Sequence, residues 1–237
     1  MNTLPHAFTV ALIGPDGVGK TTLSLALERD PELRVRSVYM GDNPDSANVT
    51  LPTTRWWKRR TRHAGVVDRA VNAAAAGPPT PQHWRAVRQA PRTIRKTAGF
   101  CNRICEEAYR AAVARWLVAR GSIVVFDRHF LFDYHHTDVA SHRTPSFKRR
   151  LHGVLMQRIH PQPDLVICLD APGDVVFARK GEFTPEYLER RRLEYRELAT
   201  QVRHFAIVDA QRDPAIVLAE VRRAILAFQE GSHGAQD

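Results

Sequence analysis

The sequence contains little cysteine and no long apolar run, and both features narrow the class of protein. Three of the 237 residues are cysteine, which excludes a disulfide framework and favours a reducing, cytoplasmic compartment. No run of 18 apolar residues occurs, so we expect neither a transmembrane helix nor a membrane partner. The N-terminal stretch lacks the basic start and the cleavage site of a secretory signal, and we interpret it as the approach to a first strand.

Acidic residues are scarce in one part of the chain, residues 55–100. This segment holds eleven basic residues and one acid, Asp68, so it carries the whole formal net charge of +10. The rest of the chain balances, with 24 basic and 24 acidic residues. A positive charge confined to one segment indicates a partner or a substrate rather than a general property of the surface.

Five short, almost continuous apolar runs are typical of strands that are covered on both faces of a parallel sheet. They are Phe8–Ile13, Val35–Met40, Ile123–Phe126, Leu165–Leu169 and Phe205–Val208. Helical patterns alternate with them, and this alternation predicts a doubly wound α/β fold with a five-stranded parallel sheet. We expect one domain over residues 1–229, a helical insertion over about 42–100 between strands 2 and 3, and a flexible tail over 230–237.

The helices are predicted from periodicity and from end signals. They cover residues 21–28, 185–198 and 214–228, and the last has Asp213 as N-cap and Pro214 at its first position. Before the third strand, apolar residues recur every three or four positions and predict a buried helix face, which includes two cysteines in the core. These residues are Cys101, Ile104, Cys105, Ala108, Ala112 and Trp116. Within the insertion, 42–54 is predicted as a loop, and 56–76 and 83–97 as basic helices.

A phosphate-binding loop follows the first strand. The pattern G-x-x-x-x-G-K-[ST] occupies residues 14–21, between an apolar strand and a helix, which is the context that the motif requires. Glycines let successive backbone N–H groups turn towards phosphate oxygens, and the helix N-terminus adds its dipole. Lys20 is a cation for the β- and γ-phosphates, and the Thr21 hydroxyl is a Mg²⁺ ligand. The predicted ATP-binding residues are Gly14, Asp16, Gly17, Val18, Gly19, Lys20, Thr21 and Thr22.

Asp127 and Arg128 end the third predicted strand. In open α/β sheets, ligands bind at the carboxyl ends of the strands, so these residues are expected to face the same crevice as the phosphate loop. Asp127 could orient or deprotonate a phosphate acceptor, or hold Mg²⁺ through water. Arg128 could bind a phosphate with two hydrogen bonds. The alternative is a structural Asp–Arg pair at the end of the strand.

The order of four motifs resembles the thymidylate kinase-like branch of P-loop kinases. They are GPDGVGKTTL from Gly14, VVFDRH from Val124, PDLVICLDAP from Pro163 and IVDA from Ile207, with an Arg-rich helix between the last two. The matching parts cover roughly residues 8–40 and 103–228. The resemblance implies a three-layer P-loop kinase fold, Mg-ATP as phosphoryl donor and a mobile lid over about 178–192.

The resemblance also implies roles for individual residues. Asp16 matches the acid that contacts a hydroxyl of the acceptor's sugar. Arg179 matches the first lid arginine, and Arg190 and Arg192 match the helix after the lid. Cations that close over a phosphoryl group stabilise its charge during transfer. The alternative for the last two is a solvated helix face paired with Glu186, Glu189 and Glu194.

The acceptor half departs from thymidylate kinases. Their Arg-Glu-Pro-Gly-Gly element after the second strand is replaced by GDNPD, so Asp42 becomes a candidate acceptor ligand. Their helix arginine for the acceptor's phosphate is also absent, since Arg103 and Arg110 are out of register. His129 replaces the usual aromatic residue after the Asp-Arg pair. By analogy at the level of the fold, such divergent proteins resemble kinases of sugar-like and natural-product substrates.

Two weaker patterns have alternative interpretations. His129, His135, His136 and His142 suggest either a metal site or pocket lining, and we favour lining because their spacing matches no zinc-site pattern. Trp56 and Trp57 among basic residues suit nucleic acid or an amphipathic helix over the acceptor site, and we favour the helix.

The sequence therefore predicts an ATP-dependent kinase with a small-molecule acceptor and Mg²⁺. The catalytic candidates are Lys20, Asp127 and Arg179. The acceptor candidates are Asp16, Asp42, Arg128, Arg190 and Arg192. The acceptor group is either a hydroxyl of a sugar-like or natural-product molecule, which we favour, or the phosphate of thymidylate. The alternative outside the enzymes is a protein that binds nucleic acid or a membrane surface under the control of a bound nucleotide. The sequence leaves open whether the protein forms a homodimer.

Overall fold

A computed structural model of the protein describes residues 7–41, 47–55, 92–129, 153–155, 158–160 and 162–233. Its centre is a sheet of five parallel strands in the order β2-β3-β1-β4-β5. The strands are β1 Thr9–Ile13, β2 Val35–Tyr39, β3 Ile123–Asp127, β4 Leu165–Asp170 and β5 Phe205–Asp209. Each differs from its predicted run by at most one residue at either end.

Helices cover the sheet and complete the three-layer α/β fold. They are α1 Lys20–Glu28, α2 Arg92–Ala119, α3 Gly173–Lys180, α4 Pro185–Glu197 and α5 Pro214–His233. A single 3₁₀ turn, Leu198–Thr200, follows α4. The predicted fold class is confirmed, including a helical insertion between β2 and β3. The predicted helix 56–76 and most of 83–97 lie outside the described residues.

Successive side chains of each central strand point to opposite faces of the sheet. On β1, Val10 and Leu12 pack into the main core, whose other side is formed by α1 and α5. Ala11 and Ile13 belong to a smaller cluster on the opposite face, together with Tyr195 of α4. Because both faces are covered, both sets of side chains must be apolar, which explains the uninterrupted apolar runs.

Two helices begin at the residues that their sequences indicate. The Asp213 carboxylate accepts a hydrogen bond from the backbone N–H of Ala215 at 2.8 Å, so Asp213 caps α5 as predicted. Thr184 caps α4 in the same way, because its hydroxyl accepts from the N–H of Tyr187 at 3.3 Å. The α5 helix continues to His233, five residues beyond its predicted end at Phe228.

The predicted buried face of α2 is wrong. Cys101 and Cys105 are exposed, and Trp116 exposes 52% of its surface. The buried residues in the last part of the helix are instead Ala111 and Ala114, only 3% exposed each. The Trp116 ring lies against the Arg120 guanidinium, 4.3 Å from the ring centroid, rather than in the core.

The chain forms two compact units, residues 1–48 with 111–237, and residues 49–110. In the second unit, the backbone N–H of Leu51 donates to the Glu106 carboxylate at 3.1 Å, and Arg110 donates to the Val49 carbonyl at 3.1 Å. The strands and the phosphate loop belong to the first unit. Within the described ranges, no helix has the length and apolar character needed to cross a membrane.

Candidate functional site

The loop between β1 and α1 is shaped by glycines at two positions. Gly14 has a φ of 139° and lies so close to β4 that a Cβ atom there would be 2.5 Å from the Leu169 carbonyl oxygen. Gly19 has a φ of 103° and is the N-cap of α1, where it makes no side-chain cap hydrogen bond. The N-terminus of α1 therefore lies at the end of this loop, and the positive end of its dipole favours an anion there, as a phosphate loop requires.

Lys20 lies inside the loop. Its side chain is 6% exposed, and its ammonium donates to the carbonyl oxygens of Gly14 at 2.6 Å and Pro15 at 2.8 Å. The same ammonium lies 3.9 Å from the Asp16 carboxylate. The predicted phosphate cation is thus already at the centre of the loop, on its first helical residue.

The hydroxyl of Thr21 donates to the Asp127 carboxylate at 2.6 Å, which joins the phosphate loop to the end of β3. Asp127 is 1% exposed and pairs in register with Leu12 of β1 and Tyr39 of β2. A hydroxyl and a carboxylate are hard oxygen donors of the kind that Mg²⁺ prefers. This donor set therefore fits the predicted metal.

Asp16 forms an ion pair with Arg128, so two residues predicted to bind the acceptor contact each other. Arg128 has a φ of 69°, an uncommon conformation for a residue with a side chain. A Cβ atom at Gly41 would lie 2.7 Å from the Arg128 side chain and 2.4 Å from the Tyr39 hydroxyl. Glycine at position 41 thus lets the chain after β2 pass close to both side chains.

A cleft of about 810 Å³ opens beside the phosphate loop. One wall is formed by Val18 and Thr22, and another by the residues between β5 and α5. Arg179 also lines this cleft, and its guanidinium lies 3.5 Å from the Gln211 carbonyl oxygen. The structure therefore brings five of the predicted ATP-site and catalytic residues to one concave surface, namely Gly17, Val18, Gly19, Thr22 and Arg179.

The predicted lid consists of the end of α3, a short loop and α4. Arg192 does not reach the phosphate loop, because its guanidinium donates two hydrogen bonds to the Asp170 carboxylate, at 2.7 and 2.9 Å. It also donates to Glu189 at 3.0 Å, which agrees with the alternative of a paired helix face. The hydrogen bonds from Arg192 hold the pKa of Asp170 below its usual range. Arg190 is exposed, with its guanidinium 5.5 Å from the centre of the Tyr187 ring.

His129 is buried and lines a second cavity of about 340 Å³, which also contains His160, rather than the cleft beside the phosphate loop. It is 1% exposed, and its ring lies 5.2 Å from that of Phe126 and 6.3 Å from that of His160. Burial, and secondarily the neighbouring His160, lowers the pKa of His129 to about 3. The other three histidines of the predicted cluster, and the acceptor candidate Asp42, lie outside the described residues.

Sequence reasoning missed two charged residues near the site. Asp170 ends β4 in register with Asp209 of β5, and its position after a buried strand is the signal that could have identified it. Lys180 ends α3 with its stem against Gly17 of the phosphate loop. No sequence signal distinguishes it from Arg179, the adjacent basic residue.

Comparison with protein-family models and with curated proteins finds no match for this chain. The assignment of function therefore depends on the geometry of the loop, the strand ends and the lid.

Proposed function

We propose that this protein is an ATP-dependent phosphotransferase that moves the γ-phosphoryl group of Mg-ATP to a small acceptor. The observation that carries the proposal is the 2.6 Å hydrogen bond between Thr21 and Asp127. It joins a lysine-bearing phosphate loop to a buried carboxylate at the ligand-binding edge of the sheet. A P-loop hydroxyl beside such a carboxylate is the arrangement in which nucleotide-binding proteins hold Mg²⁺.

In this proposal the loop binds the donor's phosphates. The N–H groups of the first turn of α1 and the Lys20 ammonium neutralise the β- and γ-phosphates. Thr21 and Asp127 would hold Mg²⁺, which supplies further charge neutralisation when bound. The apolar part of the 810 Å³ cleft accommodates the nucleoside, and Arg179 lies along its edge.

In the transfer step, bonds form and break between the acceptor and the nucleotide, and the protein itself forms no covalent bond. The acceptor oxygen bonds to the γ-phosphorus while the bond from that phosphorus to the β–γ bridging oxygen breaks, and ADP leaves with the electron pair. The proton of the acceptor hydroxyl passes to a carboxylate or to water. Asp127 is the carboxylate of this edge that lies beside the phosphate loop, and its bond from Thr21 fixes its orientation.

A hydroxyl acceptor is favoured over thymidylate. The Arg128 guanidinium forms an ion pair with Asp16. The Asp16 carboxylate therefore already balances the positive charge that would otherwise bind an acceptor's phosphate. Arg110 is 8% exposed and donates to the Val49 carbonyl, and Arg103 donates to Glu107 at 3.1 Å. These contacts support local structural roles for the two helix arginines that could have replaced the missing phosphate ligand. Membership of the thymidylate kinase-like branch belongs to the same proposal.

An acceptor screen tests the function. Mg-ATP is incubated with the protein and with sugars, nucleosides, aminoglycoside-like amino sugars or thymidylate at equal concentration, and ADP release is measured. We expect release above the acceptor-free rate with at least one hydroxyl-bearing compound, and a rate about 10²- to 10³-fold lower from the Lys20→Ala variant. Absence of Mg-ATP binding to the folded wild-type protein would refute the proposal.

A further inference from the structure

Four arginines of the lid make contacts other than with the phosphate loop. Arg192 is bound to Asp170, and Arg191 donates to Glu194 at 2.6 Å and to the Tyr195 hydroxyl at 2.8 Å. Arg190 lies against the Tyr187 ring, and Arg179 lies on the Gln211 side of the cleft. Phosphoryl transfer nevertheless benefits from a cation that approaches the γ-phosphate from the side opposite Lys20.

Lys180 is the lid cation whose stem lies on the phosphate loop. A Cβ atom at Gly17 would be 3.3 Å from the Lys180 Cβ and 3.5 Å from its Cδ. Gly17 has a φ of 96°, so the loop turns at the point where α3 ends against it. Because Lys180 and Arg179 are neighbours on a helix, their side chains diverge by about 100°. Arg179 therefore faces the cleft while Lys180 crosses the loop.

The Lys180 ammonium is paired with Glu182, and a bound phosphate can take the place of this carboxylate. It lies 2.9 Å from the Glu182 carboxylate, and both side chains are about half exposed, at 49% and 53%. Exposed ion pairs of this kind contribute at most about 1 kcal/mol. A bound phosphate carrying more than one negative charge can therefore replace Glu182 at little cost.

We propose that Lys180 binds the γ-phosphate of the donor nucleotide, and that Glu182 holds its ammonium over the loop until the nucleotide arrives. This inference rests on the proposed function, since it assigns a further residue to the same donor site. Lys180 is then a catalytic residue, because it touches the group that is transferred, whereas Arg192 positions α4 through Asp170.

The test measures affinity for the γ-phosphate separately from affinity for the rest of the nucleotide, so it needs no acceptor. Isothermal titration calorimetry compares Mg²⁺ with ADP and Mg²⁺ with the imido analogue of ATP. Lys180→Met removes the charge and keeps most of the stem. We expect it to lower affinity for the triphosphate analogue about tenfold, as for loss of one hydrogen bond to a charged group, with ADP affinity changed less than about twofold.

Three further variants complete the design. Lys180→Arg is expected to retain the preference for the triphosphate, and Glu182→Gln to keep or increase it. Arg223→Ala, an exposed cation on α5, controls for a general loss of positive charge. Equal affinities of wild type and Lys180→Met for the triphosphate, or equal losses for both nucleotides, would overturn the inference and leave the proposed function standing. A wild-type protein that binds neither nucleotide would instead refute the proposed function, and the inference with it.

Discussion

Asp170, at the end of β4, accepts two hydrogen bonds from the guanidinium of Arg192 in α4, at 2.7 and 2.9 Å. The same guanidinium donates to Glu189 at 3.0 Å, and the other oxygen of Glu189 accepts from the backbone N–H of Gly173 at 2.8 Å. This chain of contacts joins α3 and α4, the two helices of the predicted lid, to the end of β4. The loop between the two helices, residues 181–184, is exposed.

Replacing Arg192 by alanine is expected to destabilise the fold by about 1–3 kcal/mol, because the mostly buried Asp170 loses a charged partner. Because the pKa of Asp170 is depressed, the contribution of its contact with Arg192 to the free energy of unfolding depends on pH. It is present above the unfolded-state pKa, near 3.9, and is lost as pH falls through the folded-state value. Chemical denaturation at pH 7 and at pH 3 measures both effects. A free energy of unfolding for Arg192→Ala equal to that of wild type at pH 7 would contradict the prediction.

Lys20→Ala is expected to reduce phosphoryl transfer about 10²- to 10³-fold, the range for loss of one preorganised electrostatic group. ADP release under the best acceptor conditions measures the rate, and circular dichroism checks the fold. Lys20 is buried, so Lys20→Met serves as a second variant that retains most of the packing. Near-normal turnover by a folded variant would show that the loop does not bind the transferred phosphate.

Thr21 and Asp127 are expected to act as a pair. Asp127→Asn keeps the shape of the side chain and removes its charge, and should lower kcat about 10²- to 10⁴-fold with little change in ATP affinity. If the two residues hold Mg²⁺, Thr21→Val and Asp127→Asn should also raise the Mg²⁺ concentration needed for half-maximal rate. A rate loss in Asp127→Asn with an unchanged Mg²⁺ requirement would assign Asp127 to the acceptor's proton instead. Unfolding of Asp127→Asn at ordinary temperature would favour a structural Asp–Arg pair.

Burial of His129 predicts that the protein loses stability in mild acid. Its pKa is lowered from 6.5 to about 3 in the folded state, so the unfolded chain binds the proton more readily. Stability is therefore highest above pH 6.5 and should fall by about 2 kcal/mol between pH 7 and pH 5. Carboxylates with ordinary or depressed pKa values contribute little in this window. Urea titrations of wild type and His129→Gln at both pH values should show a smaller loss in the variant, and identical losses would contradict the assignment.

The sheet and the phosphate loop could be predicted because each has a local signal. Buried parallel strands are uninterrupted apolar runs, and the loop combines glycines with a lysine between a strand and a helix. The buried face of α2 could not be predicted, because alanines are frequent along the helix and form two apolar stripes on different faces. Ala111 and Ala114 define the stripe that is buried, whereas Ala112 and Trp116 define the one that was expected.

The contacts of the lid depend on packing that sequence spacing does not show. Arg190 and Arg192 are equally good lid candidates in the sequence, yet Asp170 binds only the second of them because β4 ends beside that face of α4. Glu189, the fifth residue of α4, adds a contact to the same guanidinium and to the start of α3. The pairing of Arg128 with Asp16 likewise depends on two loops that meet at the sheet edge.

The protein is expected to be a poor thymidylate kinase. The acceptor-shaping element after β2 is absent, and Arg110, one of the two helix arginines, is buried and bonded to the Val49 carbonyl. Loss of one buried cation–phosphate contact costs about 2–5 kcal/mol, which corresponds to about 30- to several-thousand-fold in affinity. Steady-state kinetics with thymidylate, and with the best hydroxyl acceptor from the screen, measure the ratio of the two kcat/KM values. We expect thymidylate to remain below about 10⁴ M⁻¹s⁻¹, the lower end for metabolic enzymes. A higher value would mean that Arg128 leaves Asp16 to bind the acceptor's phosphate, in which case Asp16→Asn should increase thymidylate turnover further.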